Sequence, residues 1–259
     1  MTLAVGEAGG GMAPMVSLLA ALGLALVQVL AQPVLARAEE LTGRVRRRLL
    51  SASAGASVAY VFVDVLPELG AQHRVVLEAL GEEKLLFAEQ RVYILALVSF
   101  IVFYGLEHLV LQDRERRDGV DASQDEARYF PAHLLAFGGY TVLIGDLLVE
   151  RAARGPVPLA IYGLAMAVHF LIIAHSLSER FRGPYLRWGR WVLAASVLAG
   201  WAVGTAAQIS EVTFARLFAI LAGGVVITSV QGELVGERSG RFWPFVLGAL
   251  GFAVLLMSA

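Results

Sequence analysis

The sequence contains no cysteine. Disulfides and thiolate metal sites are therefore excluded, and cysteine usage gives no sign of the redox compartment. Charge is scarce as well. Charged residues make up 17% of the 259 positions, against roughly a quarter in ordinary soluble domains. The formal net charge is -1, so the basic surplus that nucleic-acid binding demands is missing and no nucleic-acid partner is expected. Low-complexity sequence is confined to Gly9–Gly11. What the chain has instead is apolar residues: 58% are hydrophobic, and the mean hydropathy is +0.68. A soluble fold of this length has too little interior for that much apolar surface. Disordered chains and secreted disulfide scaffolds are excluded, and a soluble enzyme is disfavoured. The composition predicts an all-α, polytopic bundle in the inner membrane, with the lipid bilayer as its partner.

Eight long apolar runs stand out, at 14–36, 51–69, 92–111, 131–150, 157–178, 190–208, 213–234 and 242–258. Each suits a membrane helix of about 20 residues, and together they make residues 1–259 a single transmembrane domain. Residues 1–13 carry no Lys or Arg. The cationic n-region of a signal peptide is missing, so the first run is read as a retained helix. Loop charge sets the orientation. Fifteen of the 21 basic residues fall in 37–50, 112–130, 179–190 and 235–241, and six fall in the alternate set. Basic loops stay in the cytoplasm, which predicts both termini outside. Arg44, Arg46, Arg47 and Arg48 form the strongest anchor. Segment 112–130 reads as a charged, solvated cytoplasmic loop. Pro131 suits the first turn of helix 4, and Pro67 is expected to interrupt helix 2. Small residues at Ser196, Gly200 and Gly204, and at Ala219, Ala222, Gly223 and Gly224, give helices 6 and 7 faces for close packing. Packing inside the monomer is the first use expected of them, and a homodimer contact the second.

Ionisable residues at membrane depth are costly and usually face the bundle interior or water. Helix 2 carries Asp64 and Glu68, four residues apart and so on one face. Helix 3 carries Glu107 and His108. Helix 4 carries His133, Asp146 and, at its end, Glu150. Helix 5 carries His169, His175 and Glu179. With about 1.5 Å of rise per residue, His169 falls near the bilayer middle, Asp64 and Asp146 outward of it, and Glu107 and His175 inward. Each has a structural alternative. Glu68 suits the interface, His175 and Glu179 an i, i+4 ion pair, and His133 and Glu150 the headgroup region. Asp64 and His169 are the deepest pair and are expected to partner each other. The candidate pathway residues are Asp64, His169, Asp146, Glu107, His175 and Glu68, with His169 as the candidate metal ligand.

Order and local sequence resemble the ZIP metal-transporter family. YVFVDVLPEL (60–69) is similar to the family's helix 2 pattern ending in His-Leu-Leu-Pro-Glu, FYGLEHL (103–109) to its helix 3, and LAGGVVI (221–227) to the start of its helix 7. The resemblance spans nearly the whole chain. It implies the ZIP fold, eight helices and a divalent metal as the candidate cargo. The ligand-bearing segments depart from the pattern. YTVLIG (140–145) keeps only the glycine of the family's helix 4 motif, and HFLII (169–173) keeps only His169 of its helix 5 motif. No His lies in 112–130. The resemblance thus implies a ZIP-like fold without the family's binuclear zinc centre, and no resident cofactor is assigned. A divergent transporter of a cation or small solute, with its pathway between helices 2, 4 and 5, is the first reading. A non-transporting scaffold or accessory subunit is the second. An intramembrane lipid hydrolase is the third, and it lacks any tight catalytic signature.

Overall fold

The computed structural model describes residues 12–41, 43–80, 90–116, 122–207, 210–234 and 242–257. Among the described residues every regular element is helical. In chain order, α1 is Met12–Leu41. The rod α2 comprises Gly43–Tyr60, a π-helical turn Val61–Val65 and Leu66–Leu80. Then follow α3, Arg91–Arg116; α4, Ala122–Arg154; α5, Pro156–Arg180; α6, Arg190–Ala206; α7, Glu211–Leu234; and α8, Phe242–Met257. A short turn, Arg182–Pro184, and a second π turn, Tyr185–Gly189, lead into α6.

Five stretches are long and apolar enough to cross a membrane: Pro14–Val34, Arg47–Ala79, Tyr129–Arg154, Pro156–Arg180 and Glu211–Val230. Arg91–Leu106 and Phe242–Met257 are shorter apolar helices. The chain is therefore an all-helical bundle of the kind that membranes hold. Its outer surface agrees. Leu19, Leu22, Leu26 and Leu30 are exposed along one face of α1, and Leu247, Leu250 and Val254 along α8. Such continuous apolar faces are an aggregation hazard in water and are at home in lipid.

The helices outlast the apolar runs. The 112–130 segment, expected as a loop, is helical at both ends: α3 continues to Arg116 and α4 starts at Ala122. Of the 37–50 loop, residues 37–41 belong to α1 and 43–50 to α2. Ala, Arg, Glu and Gln in these segments are good helix formers, and hydropathy is blind to them. Pro131 consequently lies inside α4 rather than at its start. Pro67 does not end α2 either. It lacks the N–H that would bond the carbonyl four residues back. The helix absorbs this by widening just before it, where the Leu66 N–H bonds Val61 O, five residues back.

Between α4 and α5 the chain reverses at Gly155, whose φ of 128° excludes a side chain at acceptable strain. Pro156 then opens α5, where its missing N–H costs nothing. At Gly145 and Gly200 the faces of α4 and α6 meet backbone to backbone. A Cβ on Gly145 would strike the Val197 carbonyl, and one on Gly200 would strike the Val142 carbonyl. Dispersion over such closely apposed backbones holds helices together where lipid removes the hydrophobic drive. Helix α5 packs against α1, α2, α4 and α7. Its Tyr162, Met166, His169, Phe170 and Ile173 are all buried, at the spacing of one helical stripe. That stripe carries the polar groups described next.

Candidate functional site

Two polar centres lie along α5. The first is an ionic cleft of about 270 Å³ between α2, the α4–α5 junction and the C-terminal end of α8. Tyr60, Asp64 and Glu68 line it from α2, Arg151 and Arg154 from α4, Pro158, Ile161 and Tyr162 from α5, and Leu256 from α8. The widened turn in α2 sets where its acidic side chains point. Asp64 lies within it, and Glu68 follows one turn later. Such π turns are frequent at functional sites.

The charges of the cleft are arranged around two guanidinium groups. Arg154 donates to Glu68 at 2.9 Å and to Glu150, and Glu68 also accepts from the Gln72 amide at 2.8 Å. Arg151 is the deeper cation, with a side chain only 7% exposed. Its Nη2 lies 3.9 Å from Asp64 Oδ2, and its Nε lies 3.7 Å from Glu150 Oε2. Both distances are ion pairs and neither is a hydrogen bond. Tyr60, one turn back along α2, lines the cleft beside Asp64. Below, the Arg151 guanidinium sits 5.8 Å over the Tyr162 ring, within cation–π range. The Tyr162 hydroxyl donates to the Ile144 carbonyl at 3.1 Å and closes the floor.

The second centre is buried two turns further along α5. His169 is 1% exposed. Its Nε2 lies 2.9 Å from the Tyr140 hydroxyl and 3.2 Å from Thr228 Oγ1. Thr228 donates its own proton to the Gly224 carbonyl, 2.7 Å away, so it serves His169 as an acceptor. Nδ1 of His169 has no hydrogen-bond partner. Tyr140, Tyr162 and His169 thus form a column running inward from the cleft.

Of the sequence candidates, Asp64 and Glu68 share the cleft, and His169 occupies the buried centre. The expected partnership of Asp64 with His169 is replaced by two separate sets: Arg151 pairs with Asp64, and Tyr140 and Thr228 hold His169. Asp146 is buried, and its Oδ1 faces Gly204 of α6. That oxygen has no hydrogen-bond partner. It belongs to the α4–α6 seam and lines neither centre. His175 and Glu179 form the expected i, i+4 ion pair at 3.9 Å. The Glu107 side chain lies outside the described residues. His133, expected among headgroups, is buried, with Nδ1 3.0 Å from the Tyr129 carbonyl and its ring against Phe181. Glu150 likewise pairs with the arginines rather than with headgroups.

Sequence reasoning missed Arg151 and Arg154, which it counted as loop charges. The signal was present. Ile144, Leu147 and Leu148 are buried positions of α4, and Arg151 is the next on that stripe. Among the described residues no group of three or more His, Asp or Glu is placed to hold a metal ion. Comparison with protein-family models, with curated proteins and with solved structures finds no match to this chain.

Proposed function

We propose that this chain is a multi-pass inner-membrane protein of ZIP-like topology, with eight membrane helices and both termini outside, that carries a small solute between α2, α4 and α5. The supporting observation is the ionic cleft. Two carboxylates, Asp64 and Glu68, and two guanidinium groups line a volume fit for a small molecule, and ionised groups are rarely gathered in a helix bundle without a solute or ion to serve. The tyrosine column and His169 continue the polar line inward. The 15-to-6 basic asymmetry sets the orientation and opens the cleft outward.

A divalent metal is a poor fit as cargo at the position the family uses. Tyr140, Thr141, Ile144 and Ile173 stand there, and His169 supplies one nitrogen where several converging ligands are needed. Reconstituted protein in liposomes, challenged with a panel of labelled ions and small organic solutes, tests the transport reading. Saturable uptake that Asp64→Asn abolishes while the protein stays folded supports it. A panel without any uptake favours the second reading, a non-transporting membrane scaffold. That reading draws on the closed column itself, because Tyr162 and Tyr140 each spend their hydroxyl on a protein partner.

A further inference from the structure

We infer that the cleft is a binding site for a small zwitterion that carries an oxyanion and an ammonium group beside an apolar body, the chemistry of an apolar α-amino acid. The inference names the solute class of the cleft described above and rests on that cleft being a binding site.

The geometry of Arg151 carries it. Nε and Nη2 are the two nitrogens on one edge of a guanidinium, the edge that grips carboxylate and phosphate with two parallel hydrogen bonds. In Arg151 these two atoms have no hydrogen-bond partner. The side chain is 7% exposed and lines the cavity. Unfilled donors on a buried cation are expensive, and here they form a matched pair rather than a scattered one. Arg154, by contrast, is filled by Glu68 and Glu150.

Charge balance then selects among oxyanions. Asp64, Glu68 and Glu150 set three negative charges against two positive ones. A bare anion at Arg151 would sit beside Asp64 and Glu150 and deepen the imbalance. A bare cation would leave the guanidinium edge empty. A zwitterion leaves the net charge unchanged and answers both needs, because Asp64 lines the cleft beside Arg151 and accepts an ammonium proton. The remaining wall is apolar: Val157, Pro158, Ile161 and Leu256. A branched aliphatic side chain matches it. The same three features occur in the headgroup region of phosphatidylethanolamine, so a free solute and a membrane lipid share this chemistry.

Equilibrium binding to the purified full-length protein in detergent tests the inference without requiring transport. The probes are L-leucine, 3-methylbutylamine (which lacks the carboxylate), 4-methylpentanoate (which lacks the ammonium) and a short-chain phosphatidylethanolamine. The expected result is saturable binding of L-leucine or of the phosphatidylethanolamine, at least about tenfold tighter than of either truncated probe. Arg151→Lys keeps the charge and removes the planar edge, and it should weaken that binding by about tenfold or more. A melting curve like the parent's shows that the variant is folded. Leucine binding identifies a free solute, and phosphatidylethanolamine binding alone identifies a lipid. The inference is overturned if neither binds, if the amine binds as well as leucine, or if folded Arg151→Lys binds as tightly as the parent. Binding without liposome uptake would overturn the transport reading and leave this one standing.

Discussion

Arg151 faces Asp64 across 3.9 Å without hydrogen-bonding it. The two carry opposite charge in a site where Arg151 is almost wholly buried, so each depends on the other more than an exposed pair would. Asp64 is the more open of the two, with 30% of its side chain exposed. The pair thus joins α2 to α4 by charge alone.

A double-mutant cycle on this pair should show coupling. Asp64→Asn alone leaves Arg151 with Glu150 as its remaining ion-pair partner, and Arg151→Gln alone leaves Asp64 beside Glu68 with one cation fewer. Together the changes remove both charges. The double variant should therefore be more stable than the sum of the singles predicts, by roughly 0.5–3 kcal/mol. Reversible unfolding of purified protein in mixed micelles gives the number. Strict additivity would mean that the two charges are screened from each other.

The α4–α6 seam gives a steric prediction. Gly200→Ala places a methyl group against the Val142 carbonyl, which belongs to helix backbone and cannot swing aside. The helices must separate, at a cost of about 1–3 kcal/mol. Gly163→Ala is the control, because nothing lies within 4 Å of the position its methyl group would take, and alanine is the better helix former. Thermal melting in detergent should show Gly200→Ala well below the parent and Gly163→Ala at or above it. Equal melting points would remove close backbone contact as the basis of this interface.

The all-helical, apolar character of the bundle was legible in the sequence because a long apolar run leaves the backbone no option but to satisfy itself. The ends of its helices were not, since helices such as α3 and α4 continue through Arg116 and from Ala122 in residues that hydropathy scores as loop. The acidic half of the cleft was legible from Asp64 and Glu68 on one face of a helix. Its basic half was not, because Arg151 lies where a count of loop charges expects solvent. The partner of His169 was hidden for another reason. Tyr140 and Thr228 come from helices far apart in the chain, and a sequence spacing describes only one helix at a time.

Orientation is tested by cysteine labelling, which the absence of native cysteine makes clean. Ser210 is exposed between α6 and α7, on the side expected to face outward, and Ser123 lies in the segment expected to face the cytoplasm. In intact cells an impermeant maleimide should label Ser210→Cys and spare Ser123→Cys until the membrane is opened. The reverse pattern would invert the topology and turn the ionic cleft inward.

The buried centre gives the last prediction. Tyr140→Phe removes one hydrogen bond from a histidine that is 1% exposed. Inside a membrane bundle such a loss costs about 0.6–1.7 kcal/mol. His169→Phe alone leaves the Tyr140 hydroxyl without its 2.9 Å partner. The double variant replaces both polar groups by rings and leaves Thr228 bonded to Gly224. It should therefore lose less stability than the two singles combined. Function separates two roles for the pair. If His169 only clamps α5 to α4 and α7, the folded double variant transports whatever the parent transports. If it lies on the pathway, uptake is lost while the melting curve survives. Zinc titration adds an independent arm. Tyr140 and Thr228 already occupy Nε2, so no stoichiometric zinc binding that disappears in His169→Ala is expected. Tight zinc binding lost in that variant would mean that ligands from other helices reach Nδ1, the one ring nitrogen left open.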